Sequence, residues 1–301
     1  MPELPDLEAY RTALAARIGG RPIDRVAITH PFVLRTATPP VTDIERRRVD
    51  SVRRIGKRIV LALDGALFVV VHLMIAGRLR WLAPGAKPPV RITLATFDFE
   101  GGRLALTEAG TRRRASIHVI AGESALAAID PGGVEPLACD AATYAAVLRR
   151  GNHTLKRALT DPRLVSGIGN AYSDEILFHA GLSPVRLTHQ LTDDEVARLA
   201  AAAQSTLQGW LERTRREVGA GFPDKVTAFR QGMAVHGRYG QPCPRCGTRV
   251  QRIRFADNEV NYCPRCQTGG KLLADRGLSR LLGADWPKSI DELEERLGKG
   301  Q

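Results

Sequence analysis

Apolar positions at Leu7, Tyr10, Leu14 and Ile18 recur at helical spacing behind Pro5 and Asp6, and Gly19-Gly20 ends that helix. The pattern then turns to strands. Arg58–Leu63 and Ala66–His72 flank Asp64-Gly65, a hairpin turn signal. A second hairpin runs from Val90 to Phe99, turns at Glu100-Gly101-Gly102 and returns over Arg103–Thr107, and Ser116–Ile120 reads as a further strand. This half predicts one helix with an antiparallel sandwich. After the turn-rich stretch Asp130–Pro136 the period becomes helical. Helices are expected over Ala141–Arg150, Thr154–Thr160 and Tyr172–Ala180. A long one is expected from the capping box Thr192-x-x-Glu195 through about Val218. Gly219–Arg230 reads as a mobile loop, two short cysteine-bearing hairpins follow, and a tail begins near Gln267.

The chain has 301 residues, enough for two ordinary domains, with 44% hydrophobic and 25% charged residues. Forty-four Lys and Arg against 32 Asp and Glu give a net charge of +12. Such a balance favours an anionic partner, nucleic acid first, because lysine and arginine neutralise phosphates and release counterions. A solvated, arginine-rich surface is the plainer alternative. The longest apolar run, Ala66–Ile75, is interrupted by His72 and falls well short of the ~20 residues of a membrane span. The start has neither the basic nor the apolar region of a signal peptide. A cytoplasmic, nucleoid-associated protein is expected, and its cysteines should be reduced.

Four of the five cysteines then read as metal ligands. Cys243-Pro-Arg-Cys246 and Cys263-Pro-Arg-Cys266 are separated by sixteen residues, a spacing suited to one tetrahedral Zn²⁺. Val250, Ile253 and Phe255 between the pairs look like strand positions, so the unit is a zinc ribbon. Four thiolates fill the shell, which makes the metal structural. Cys139 stands alone. The ribbon carries Arg245, Arg249, Arg252, Arg254 and Arg265, a basic face that suits DNA or simply solvent.

Leu164–Tyr172 holds a Gly167-x-Gly169-Asn170 turn between two helices. It lacks the strand and third glycine of a dinucleotide fingerprint. Alone it is a tight helix–helix turn or an anion cradle. Beside Lys156 and the ribbon it reads as a phosphate clamp at a helix N-terminus. Pro2 is a further candidate. Methionine before proline is readily removed, and the secondary amine so exposed has a pKa near ~8 and is partly neutral at pH 7. Such an amine can attack a sugar C1′ and form an iminium, with Glu3 moving protons beside it. On the residues alone, an unstructured chain start is the simpler reading.

Together, Pro2-Glu-Leu-Pro-Asp6, Lys57 before a hairpin, Gly167-Ile-Gly-Asn170 and Val235-His-Gly-Arg-Tyr239 leading into the four cysteines resemble the formamidopyrimidine-DNA glycosylase / endonuclease VIII family. The likeness spans residues 1 to about 267. It implies an α+β fold: an N-terminal antiparallel β-sandwich with flanking helices, then a helix–two-turn–helix domain with a four-cysteine zinc-ribbon finger. The implied boundaries are 1–129 for the catalytic domain, 130–140 linker, 141–234 helical domain, 235–267 finger and 268–301 extension. DNA would lie in the cleft between the domains. The damaged nucleotide would be flipped out of the duplex, Pro2 would displace the base, Glu3 would act as general acid/base, and Lys57 would touch phosphate and assist proton transfer. Strand cleavage by β-elimination, or β,δ-elimination, would follow. The partner is double-stranded DNA with damaged bases or abasic sites, bound by a monomer without a membrane. Lys156 and Asn170 match family phosphate contacts, and Gly219–Arg230 matches the segment that covers the flipped base.

Departures from the family pattern are local. The finger-tip arginine is replaced by Asn258 within Ala256-Asp-Asn-Glu-Val260, leaving Arg252 or Arg254 to substitute and δ-elimination open. The His-Leu-Gly-Met-Ser-Gly-like stretch becomes His72-Leu-Met-Ile-Ala-Gly77, so Met74 or Ile75 must fill the void left by a flipped base. Glu108–Arg114 lacks the usual aromatic wedge but offers Arg112 and Arg113. Leu272, Leu273, Leu278, Leu281 and Leu282 predict an added amphipathic helix. Two readings follow: a bifunctional glycosylase/lyase acting on an oxidised base, with 8-oxoguanine and formamidopyrimidine favoured by Leu4-Pro5, or a non-catalytic or specialised damaged-DNA-binding paralogue with altered lesion range. A zinc-ribbon transcription or RNA-processing factor explains the finger but not Pro2.

Overall fold

The computed structural model describes residues 1–224, 226–255 and 258–298. Lys225 of the predicted loop, Ala256-Asp257 of the predicted acidic tip and the last three residues of the tail lie outside the described residues. The chain divides into two compact units, Met1–Gly133 with Gln208–Ala228, and Val134–Leu207 with Phe229–Gln301.

In the first unit, helix α1 (Leu4–Ile18) precedes eight strands: β1 (Arg25–Ile28), β2 (Val49–Ile55), β3 (Arg58–Leu63), β4 (Leu67–His72), β5 (Gly77–Leu82), β6 (Thr93–Phe99), β7 (Gly102–Glu108) and β8 (Ser116–Ala121), followed by the short helix α2 (Glu123–Ala127). They form two antiparallel four-stranded sheets, β1-β6-β7-β5 and β2-β3-β4-β8. Between them lies one core that gathers Leu7, Tyr10 and Leu14 of α1 with Ile59, Leu61, Val69, Val71, Phe97, Leu104 and Ile117. The alternate residues Val60, Ala62, Phe68, Val70 and Ile120 pack on the other face with Leu126 of α2. The second sheet is thus covered on both sides, which is why β3 and β4 read as unbroken apolar runs rather than alternating ones. A one-residue slip would exchange these two buried sets, so packing as well as the turn fixes the register.

The second unit is helical and then metal-bearing. Helices α3 (Ala141–Leu148), α4 (Leu155–Thr160) and α5 (Asn170–Ala180) are followed by α6 (Asp193–Val218), whose last residues belong with the first unit. The predicted capping box is present: Glu195 accepts the Thr192 N–H at 3.0 Å and the Thr192 hydroxyl accepts the Glu195 N–H at 3.3 Å. Among the described residues one hairpin, β9 (Gln251–Arg254) with β10 (Glu259–Tyr262), replaces the two expected, because the second cysteine pair opens a helical turn, α7 (Pro264–Thr268). The tail also differs. Leu272 and Leu273 lie in an extended segment bridged at Lys271 to Ser289, and the helices are α8 (Arg276–Leu282) and α9 (Ile290–Gly298). Asp275 caps α8, so helix cannot extend back through the first two leucines. No helix among the described residues is long and apolar enough to cross a membrane.

Candidate functional site

The chain start is held by α1. The Asp6 carboxylate accepts the Glu3 N–H at 3.0 Å, a capping arrangement that fixes Glu3 just ahead of the helix. Pro2 is buried and Glu3 is 3% exposed. The Met1 amine lies below its ordinary value. Burial is the main cause, and the cations Arg78 and Lys57 add to it, while Glu3 and Asp6 oppose it. Lys57 follows Gly56 in the β2–β3 turn.

His72 ends β4, opposite Arg58 on one side and Ser116 on the other. Its pKa is pushed down to about 4 by burial and then by Arg58, Lys57 and His118, so the ring is neutral at pH 7 and can donate or accept without adding charge. The turn after it carries the two wedge candidates. Met74 has a left-handed φ of 53°, and Ile75 is 58% exposed. Gly77 closes this turn: its N–H meets the Leu73 carbonyl at 2.9 Å, and an added Cβ would lie 2.2 Å from that oxygen.

Arg78 is the residue the sequence did not single out. Its Nε donates to the Val226 carbonyl at 2.8 Å and its Nη1 to the Ile75 and Gly77 carbonyls. One guanidinium therefore ties the wedge turn to the 219–228 loop and places a cation at the chain start. The same loop is anchored by Phe222, which packs 5.6 Å from Tyr10 and under Arg17. Arg112 and Arg113 lie on an exposed loop, Arg113 donating to the Arg91 carbonyl at 2.7 Å. Buried Glu108 holds the base of that loop by accepting the N–H groups of Arg114 and Ala115 at 2.8 and 2.9 Å.

In the second unit the turn between α4 and α5 depends on Gly167, whose φ is 76°. Lys156 reaches this turn. Its Nζ donates to the Asn170 carbonyl at 2.6 Å and to Asp174 at 2.5 Å. The other Asp174 oxygen takes His236 Nδ1 at 2.7 Å and the Asn261 N–H at 3.2 Å. Next to it, Glu175 accepts three consecutive backbone N–H groups, of Ala234, Val235 and His236, at 2.7 to 2.9 Å. The Asn170 side chain donates to the Glu259 carbonyl at 2.9 Å, joining the start of α5 to β10. Lys156 and Asn170 are thus brought together, each with part of its hydrogen-bonding capacity already engaged within the protein.

The four cysteine sulfurs lie within 4.8 Å of one another, with Cys243–Cys266 at 3.9 Å and Cys246–Cys263 at 3.4 Å. A tetrahedron with Zn–S of ~2.3 Å needs sulfurs about 3.8 Å apart, so the donor set fits. Burial pushes Cys263 and Cys266 up, and against burial the hydrogen bonds of Thr248 bring Cys246 down to about 6. Bound metal holds all four as thiolates. The site is one structural zinc. On the hairpin beyond it, Arg254 is exposed, whereas Arg252 lies 4.1 Å over the Tyr239 ring and 3.3 Å from Glu259.

Comparison with known proteins places these parts. Residues 1–117 match the formamidopyrimidine-DNA glycosylase N-terminal domain, 133–219 the formamidopyrimidine-DNA glycosylase H2TH domain and 240–269 a zinc finger found in FPG and IleRS. The chain is 37% identical over 267 residues to formamidopyrimidine-DNA glycosylase of Moorella thermoacetica, covering 84% of this chain and 95% of that one. It is 35% identical over 282 residues to the Heliobacterium modesticaldum protein of the same name, covering 89% and 100%. Among solved structures, the Lactococcus lactis enzyme in complex with DNA containing FAPY-dG superimposes with a TM-score of 0.79 at 25% identity, covering 88% of this chain and 100% of that one.

Proposed function

Because the chain belongs to the formamidopyrimidine-DNA glycosylase family, we propose that it removes an oxidised base from DNA through Pro2 and then cleaves the strand as a lyase. With Met1 removed, the Pro2 nitrogen occupies the buried, cation-flanked start of α1. Its lone pair forms a bond to C1′ of the flipped nucleotide. The glycosidic bond breaks toward the base, which takes a proton. The nitrogen then opens the sugar ring to give an iminium, and Glu3 moves the protons. Loss of the C2′ proton expels the 3′ phosphate, and water returns the free amine. Lys57 and neutral His72 serve the phosphate beside the lesion, Met74 or Ile75 fills the vacated stack, and Arg112 or Arg113 meets the orphaned base. Lys156, Asn170 and the hairpin arginines Arg252 and Arg254 hold backbone phosphate.

The observation that carries this reading is the placement of the chain start: Pro2 is buried beside Glu3, which Asp6 holds just ahead of α1, and the cations Arg78 and Lys57 act on the same end of the chain. The purine branch, 8-oxoguanine and formamidopyrimidine, is the proposed substrate class, and the chromosome is the proposed place of work. Borohydride trapping on an abasic-site duplex tests the chemistry. Wild type is expected to form a covalent complex that Pro2→Gly does not form. Absence of a complex beside intact duplex binding would favour the specialised lesion-binding reading, which the engaged state of Arg252 supports. Equal excision of 8-oxoguanine, formamidopyrimidine and thymine glycol would refute the purine assignment.

A further inference from the structure

The family matches end at residue 269, and the chain continues. The β9–β10 hairpin is two four-residue strands, and so short a ribbon is marginal in water without support. Its apolar face, Ile253, Val260 and Tyr262, packs with Leu273 of the continuation. The Tyr262 hydroxyl accepts the Leu273 N–H at 2.8 Å. The continuation is itself folded back, with the Leu272 N–H on the Lys288 carbonyl and the Ile290 N–H on the Gly270 carbonyl, and Arg265 of the second cysteine pair meets Asp291 of α9 at 2.5 Å.

Asp275 of the continuation reaches the end of β9. Asp275 is 4% exposed. Its Oδ1 caps α8 by accepting the Gly277 and Leu278 N–H groups at 3.0 and 3.1 Å. Its Oδ2 accepts the N–H of Arg254 at 2.6 Å. Arg254 is the last residue of β9, and its side chain is exposed at the edge of the tip. We infer that Asp275 is a positioning residue for DNA binding: the C-terminal extension acts as a brace that fixes the backbone of Arg254 and so aims its guanidinium at a phosphate. This compensates locally for a tip at which Asn258 stands in place of arginine. The inference rests on the reading that Arg254 meets DNA.

The two carboxylate oxygens have separate tasks, and that makes the test clean. Asp275→Asn keeps a carbonyl oxygen for the helix cap, since Asn caps as well as Asp, but puts an amide nitrogen where the Arg254 N–H needs an acceptor. The experiment uses full-length, zinc-loaded protein from which Met1 has been removed. It measures Kd for a duplex with an uncleavable tetrahydrofuran abasic site at fixed salt, and the single-turnover trapping rate at saturating abasic DNA. Asp275→Asn is expected to weaken binding about three- to tenfold, the net weight of one ordinary hydrogen bond, since the arginine is misaimed rather than removed. The saturated rate, melting temperature and zinc content should be unchanged. Arg254→Ala is expected to weaken binding at least as much, and the double variant no more than Arg254→Ala alone. Asp275→Ser, whose hydroxyl also caps, repeats the measurement should the first variant lose zinc. An unchanged Kd for Asp275→Asn beside a weakened Arg254→Ala, or effects that multiply, would overturn the positioning role alone. Arg254→Ala without effect would remove the underlying reading of the hairpin and the positioning role with it.

Discussion

Lys156 Nζ lies 2.5 Å from a carboxylate oxygen of Asp174, whose side chain is fully buried. The lysine proposed to hold phosphate is therefore already paired from behind. This pairing holds its ammonium in place at the α4–α5 turn and lowers the net charge that a phosphate meets.

Removing that partner should be expensive. Asp174→Asn leaves the Lys156 ammonium, only 12% exposed, without its counter-charge and weakens the His236 contact. A loss of about 3 kcal/mol in unfolding free energy is expected, at the low end for broken buried pairs because Lys156 keeps some access to water. Urea denaturation reads it directly. A change under ~1 kcal/mol would show that the pair is solvated and adds little.

Lys156→Ala addresses binding instead. A fully uncompensated phosphate contact changes the slope of log K against log salt by about 0.9. With Asp174 behind it, Lys156 should change the slope by clearly less, while affinity still falls. Binding titrations at several salt concentrations on one duplex make the comparison, and a full unit of slope would mean that Asp174 lets go when DNA binds.

The buried chain start sets a pH profile. Burial and the cations Arg78 and Lys57 lower the Met1 amine, and the Pro2 amine exposed when Met1 is removed is expected to lie below the ordinary value of about 8 for the same reasons. Trapping rates at saturating DNA should rise with pH and level off below 8. Arg78→Ala removes a cation that lowers this pKa, so its inflection should move up. A profile still climbing past pH 9 in wild type would refute the assignment of the burial-depressed amine to the nucleophile.

Zinc removal should act locally. Cys246→Ser is expected to lose the metal, measured by elemental analysis, and DNA affinity together. Full zinc content in that variant would overturn the four-cysteine site.

Glu108 offers a test away from the chemistry. It is 2% exposed, and Glu108→Ala removes the one oxygen that accepts both N–H groups beneath the Arg112-Arg113 loop. A loss of about 1–3 kcal/mol is expected, together with faster hydrogen exchange at the Arg114 and Ala115 amides. Unaltered exchange there would mean the loop is held by other contacts.

The elements legible in the sequence were those whose cause is local. The Thr192–Glu195 box, the cysteine pairs and the Asp64-Gly65 turn carry their signal within a few residues. Strand β5 is not legible in the sequence although Gly77, Leu79 and Trp81 alternate with Arg78 and Arg80, because so dense a run of arginines masks the buried face. The task of Arg78 is set by a carbonyl 148 residues away, and no local pattern announces it. Gly77 was the available clue, since glycine after a short apolar turn marks a close backbone approach. In the tail, the leucine spacing predicts one helix, whereas Asp275 ahead of α8 marks where helix begins.

The three amides of Ala234–His236 gripped by Glu175 have a consequence for repair of the protein itself. They lie just ahead of the first cysteine, and the carboxylate that holds them belongs to α5, outside the metal knot. A finger stripped of its ion is therefore expected to stay moored at its root. Recharging with zinc should then be a short local refolding, and a chelated sample should recover its DNA grip on adding back the metal without passing through the unfolded chain.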